Sequence, residues 1–155
     1  MAFPSCDEDD RNLDMLAARC LVGTARVNIS CLKFLDGRQI DGRIVQDLVN
    51  SFEQTRCRRY EPDNFIPVLI TTSKLRRALR ASNISRTDLR TTRQDGTFHI
   101  LKPAKNQRFS CAHGRHRIKA AEQFFDSSDW WWPVKLFLTD SKGTHDNPIF
   151  DHANS

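Results

Sequence analysis

The 155-residue sequence has no apolar run long enough to cross a bilayer; its longest, such as Ile66–Ile70, last only a few residues. It has no Cys-x-x-Cys pair, and its five cysteines (Cys6, Cys20, Cys31, Cys57 and Cys111) are scattered. The odd count and wide spacing exclude a disulfide framework and a zinc ribbon. The N-terminus has no basic segment leading into an apolar one. Asp7, Glu8, Asp9 and Asp10 stand where a secretion signal needs positive charge. No internal repeat and no low-complexity tract is present. Together these absences predict an intracellular protein, cytoplasmic or nuclear, with reduced cysteines and no membrane partner.

What remains suits one domain with one modest core. The net charge of +5 is small, but it is unevenly spread. Basic residues gather at Arg56–Arg59, at Lys74, Arg76, Arg77 and Arg80, and from Arg115 to Lys119. Such groups are either solvated helix faces or a surface for polyanions, and charge alone does not choose between them. On the second possibility, Arg76, Arg77 and Arg80 are candidate nucleic-acid contacts.

Residues 1–24 read as an acidic, weakly ordered lead. Polar–apolar alternation over Arg26–Ser30 predicts a half-buried strand. Asp41 can cap a helix carrying Ile44, Leu48 and Phe52 at spacings of four. Ile66–Ile70 reads as a strand, with Pro67 tolerable near its start. Ser73 can cap a second helix with Leu75, Ala78 and Leu79 inside. Residues 82–106 are polar and irregular, and read as an insertion. Phe109–Cys111 resumes a strand, Arg117–Phe125 has helical spacing, and Val134–Leu138 is the last strand. Residues 139–155 form a polar tail expected to be frayed. Strands alternating with helices make a small α/β domain of residues 25–138.

The sharpest chemical signal is the step from the strand at Phe109 through His113-Gly114-Arg115-His116-Arg117 into a helix. A helix start presents unpaired N–H groups and the positive end of the macrodipole. Gly114 permits a positive φ or a ligand's close approach. Arg115 and Arg117 can form charge-assisted bonds to phosphate oxygens, and His113 and His116 can add donors. Four cationic or potentially cationic side chains this close repel one another unless an anion is near. The competing account is a helix start whose arginines face water or pair with acids such as Glu122. No metal site is expected, because His99, His145 and His152 lie far from this pair of histidines. Cys111 is expected as a core thiol. Trp130-Trp131-Trp132 could stack on a base but more naturally closes the end of a small core.

Gly114-x-His116-Arg117, the following Ala120-Ala121 and the strand at Val134–Leu138 resemble the signature of the ParB/sulfiredoxin-like superfamily. More closely, Leu32–Gly37, Cys57–Pro67, Cys111–Arg117 and Trp131-Trp132 resemble an uncharacterised fungal family whose longer members begin with this module. The resemblance implies a ParB/sulfiredoxin-like domain whose turn, here Gly114, His116 and Arg117, contacts nucleotide phosphates. It implies a nucleotide or nucleic acid as partner; no cofactor is assigned, a nucleotide with Mg being the candidate, and a protein partner belongs to the accessory reading below. In sulfiredoxins the residue between Gly and His is the catalytic cysteine. Here it is Arg115, so sulfinic-acid reduction is not supported. ParB proteins continue into a DNA-reading helix-turn-helix, and none follows within these residues.

Two functions are carried forward. One is a phosphate- or nucleotide-binding module, associated with nucleic acid and without an assigned reaction. The other is a non-catalytic accessory or remnant protein from a variable region of a fungal genome, such as a secondary-metabolite cluster or mobile element. An enzyme on the same site is the weakest expectation. Glu122 and Asp126 enter as water-orienting candidates only by proximity in sequence.

Overall fold

The computed structural model describes residues 20–140 apart from 36–38, 56 and 95. The acidic lead and polar tail therefore lie mostly outside the described residues. Five strands form one mixed sheet: β1 (Leu21–Asn28), β2 (Leu32–Phe34), β3 (Ile66–Ile70), β4 (Phe109–Cys111) and β5 (Trp131–Leu138). Their spatial order is β1-β5-β3-β4-β2. The β1–β5 and β3–β4 pairs are antiparallel, whereas β3–β5 and β2–β4 are parallel. Among the described residues three helices pack with the sheet: α1 (Gly42–Thr55), α2 (Thr72–Ser82) and α3 (Arg115–Phe124). The expected α/β class is what the chain adopts.

Several boundaries differ from the sequence reading, each for a local reason. β1 starts at Leu21 rather than Arg26, because its pairing with β5 runs the length of that strand and carries the chain past Gly23 through a register shift. β2 lies among the residues quoted for the family resemblance but was not expected as a strand. It is only three residues long and is held by parallel pairing with β4. α2 is capped by Thr71, whose hydroxyl accepts from the Lys74 amide, and Ser73 sits inside the first turn. α1 is capped as expected, Asp41 Oδ1 accepting from the Arg43 amide at 2.9 Å.

Side chains alternate across the strands, so the pairing registers sort them into two faces. One face presents Ala25, Val27, Ile66, Val68, Cys111, Trp132, Val134 and Leu136, all buried. α1 and α3 cover it, packing on each other. Phe52 of α1 joins Trp132 at 5.9 Å between ring centroids and Phe124 of α3 at 5.7 Å. Clusters of this kind contribute about 0.5–1.5 kcal/mol per ring pair beyond the area they bury.

The segment expected as a polar insertion is woven into the domain. It contains a 3-10 turn at Thr87–Arg90, and its isolated apolar residues Leu89 and Leu101 are fully buried in the common core. It also runs beside the outer edge of β1. The Arg26 amide donates to His99 O and the Leu101 amide to Arg26 O, both at 2.9 Å. Ser82 ties its return to α2, accepting from the Lys102 amide at 2.7 Å.

Candidate functional site: the β4–α3 turn

β4 ends at Cys111, and Ala112 still donates to Pro67 O of β3 at 3.1 Å. The chain then reverses at Gly114, the N-cap of α3, with φ of 109° and ψ of 11°. Glycine is required here twice over. The backbone lies where L side chains are strained, and a Cβ would overlap the buried Ile66 side chain. Packing against Ile66 thus explains this glycine without any ligand.

No side chain caps α3, and it has no acidic residue in its first turn. Among the described residues, the His116 and Arg117 amides meet no acceptor, and the first bond of the helix is Ile118 N–H to Gly114 O at 3.0 Å. An uncapped helix start is a suitable place for an anion.

The structure gives the five sequence candidates different settings. His113 is exposed beside the turn, and Arg115 is half-buried at the first helical position. His116 turns toward α1, where its Nε2 accepts a hydrogen bond from the Asp41 amide at 3.0 Å. That nitrogen is an acceptor here and not the donor expected from the sequence. The bond brings the N-termini of α1 and α3 together, so two macrodipole ends of the same sign meet. Asp41 already caps α1, leaving α3 as the open one.

Arg117 is also directed inward. Its Nη1 donates to Asn64 O at 3.2 Å, and the same carbonyl accepts from Trp132 Nε1 at 2.8 Å. Burial lowers the guanidinium's pKa from its ordinary value, with nearby Cys57 the only group opposing the shift. No carboxylate pairs with Arg117 among the described residues. A half-buried guanidinium with one carbonyl partner and no counter-ion is unusual, because desolvation of a charge is normally offset by pairing.

The neighbouring thiols are buried. Desolvation pushes the Cys111 thiol up to about 12 and the Cys57 thiol to about 11. Both are therefore protonated at neutral pH and are poor nucleophiles. Glu122 faces Lys119 at 3.8 Å, one turn further along the helix. Among the described residues no group of three metal-ligating side chains is brought together.

The tryptophans divide between the two faces of the sheet. Trp132 is in the core. Trp131, on the opposite face, has Arg59 at 3.6 Å and Arg26 at 4.1 Å from its ring centroid. Two guanidiniums this close to one centroid must lie on opposite sides of the ring, which leaves neither face of the indole open to a base. Arg59 in turn stacks on Phe125 at 3.9 Å, pairs with Asp129 at 3.0 Å, and donates to the carbonyls of Asp129 and Trp131. This ladder is structural. The sequence reading grouped Arg59 with a basic cluster, and only the tertiary contacts separate it from its exposed neighbour Arg58.

Arg76, Arg77 and Arg80 lie together on the exposed side of α2, and among the described residues no ion pair links them to the β4–α3 turn. No helix among those residues is long and apolar enough to cross a membrane.

A mixed five-stranded sheet with two helices on one face and an open strand-to-helix turn defines the class, an α/β domain with a candidate anion site. Within that class, the chain belongs to the family described as "Protein of unknown function (DUF3723) N-terminal domain", whose model matches residues 20–153. No curated protein and no solved structure matches the chain.

Proposed function

We propose that the β4–α3 turn binds phosphate, carried on a nucleotide, in the manner of a ParB-like module. The observation that supports this reading is the pairing of an uncapped helix start with the half-buried, counter-ion-free guanidinium of Arg117. A phosphate at the turn would accept from the His116 and Arg117 amides, and Arg115 and His113 lie alongside to add charge. Magnesium would enter with the nucleotide's phosphates rather than on a preformed protein cage, as is usual for that ion. Binding, without turnover, is the activity proposed.

The test is thermal unfolding of the full chain against ATP, CTP, GTP and inorganic phosphate, each with and without magnesium. A ligand held at one hundred times its Kd stabilises the native state by about 2.7 kcal/mol. Arg115→Ala is expected to abolish that shift. Arg117→Gln removes the shift and also lowers the unliganded transition, because Asn64 O loses a donor. If no nucleotide and no phosphate moves the transition of the wild-type chain, the turn is not a phosphate site.

A further inference from the structure

Between residues 72 and 110 the chain holds ten Lys and Arg against Asp88 and Asp95, a net +8 in a protein whose total is +5. The fold gathers part of this excess into a strip. α2 has no acidic residue; its Leu75 and Ala78 are buried, and Arg76, Arg77 and Arg80 occupy the opposite, solvent-facing side. The segment 102–108 returns alongside it in the reverse direction. Lys102 is tied to Ser82 at the helix C-terminus, and Arg108 lines the same shallow cleft as Lys74 of the N-terminal turn. Lys102, Lys105 and Arg108 are all exposed on this returning segment and add to the positive charge next to α2.

At the Lys74 end lies a shallow open cleft, lined by Lys74, Gln107, Arg108 and Ser110 with Leu69 and Pro103 as walls. No acidic side chain lines it. The helix start itself is not the attraction, since Thr71 caps it and Asp140 accepts from the Thr72 amide at 3.0 Å. What is notable is the cations. Among the described residues, Lys74, Arg76, Arg77, Arg80, Lys105 and Arg108 make no ion pair.

We infer that this strip docks the phosphate backbone of a nucleic-acid duplex, independently of the β4–α3 turn. Charge complementarity commits the surface to a polyanion, and its composition narrows the choice. Arg76, Arg77, Arg80, Lys105 and Arg108 are exposed, and one phosphate neutralised by each gives about five contacts. Arginine, which dominates the helix row, grips phosphate through paired N–H groups. The exposed side of α2 carries no large apolar residue to enter a lipid surface. Single-strand binders need aromatic platforms for the bases. Phe109, at the end of the strip, is buried, and Phe98 is packed against Phe65 and Tyr60. Backbone contact without base stacking is what a duplex offers.

The experiment is fluorescence anisotropy of a labelled 20-base-pair DNA duplex with the full chain between 50 and 200 mM KCl. With about five phosphates contacted, affinity should fall ~500-fold over that range. Arg76→Gln/Arg77→Gln/Arg80→Gln together should cut the log–log salt slope by about 2.7, and Lys105→Gln/Arg108→Gln by about 1.8. These side chains are exposed, so the circular dichroism spectrum and thermal transition should not move. Arg115→Ala should leave duplex binding intact, and loss of nucleotide binding alone would leave this inference standing. It is overturned if both strip variants bind the duplex like wild type. It is equally overturned if a single strand, polyglutamate or phosphatidylserine vesicles bind more tightly than the duplex.

Discussion

Adding one methyl group at Gly114 tests the turn at its most constrained point. The residue sits at φ of 109°, where a Cβ meets backbone atoms, and the same Cβ would overlap the terminal methyl of Ile66, a side chain with no exposed surface. The first effect costs about 1–2 kcal/mol. The second is an overpacking term of about 1–3 kcal/mol, toward the lower end if the Ile66 methyl can swing aside. Gly114→Ala should therefore lose about 2–5 kcal/mol, a large share of the ~5–15 kcal/mol that holds a domain folded. The two parts can be separated. Ile66→Val removes the overlapping methyl and by itself costs about 0.5–1.5 kcal/mol. In that background Gly114→Ala should cost only the backbone part, leaving a coupling of at least about 1 kcal/mol between the positions. Urea unfolding of the four proteins, with midpoints compared at constant m, gives the cycle. An equal cost in both backgrounds would show that Ile66 does not require the glycine. A cost near zero in either would refute the conformational argument as well.

Two further outcomes follow from buried groups. Arg59→Ala removes the Asp129 ion pair, two carbonyl bonds and the packing between Phe125 and Trp131, and should cost about 3–5 kcal/mol in thermal or urea unfolding. Arg59→Lys should recover little of it, since an ammonium cannot stack flat between two rings; full rescue by lysine would reduce the ladder to simple charge pairing. Cys57 and Cys111 should resist a thiol reagent at pH 8 until the protein unfolds, whereas half-buried Cys20 and Cys31 should react in the native state. Because burial raises the Cys111 pKa to about 12, the unfolded chain releases that proton first as pH rises. Stability from this thiol is therefore complete below the ordinary thiol range near pH 9 and declines between there and about pH 12. Cys111→Ala should flatten that alkaline slope.

The sequence made the local rules visible and left the long-range ones hidden. Asp41 as a cap, the Ile66–Ile70 strand and the turn at Gly114 are revealed by residue type and periodicity, although the contact with Ile66 that also requires the glycine is not. β2 could not be seen as a strand because three residues carry almost no periodicity, and only β4 makes them one. Leu89 and Leu101 were obscured by the polar residues around them, although both are core. At the candidate site, Arg117 and His116 look alike in sequence as cations beside a glycine. Their actual settings depend on Asn64 O and the Asp41 amide, contacts separated by 53 and 75 residues. No periodicity reports a partner at that distance.

The segment beside β1 has a consequence for how copies of this domain meet. A strand at the border of a sheet presents unpaired amides and carbonyls, to which another chain can add itself. On the β1 border, Arg26 already spends both its outward groups on residues 99 and 101. On the opposite border stands β2, three residues long with exposed Lys33 at its centre. One border is occupied and the other is short and charged, so neither offers a second chain a template of useful length. The polar stretch that reads as an insertion in sequence covers part of the side where self-association through strands would otherwise begin.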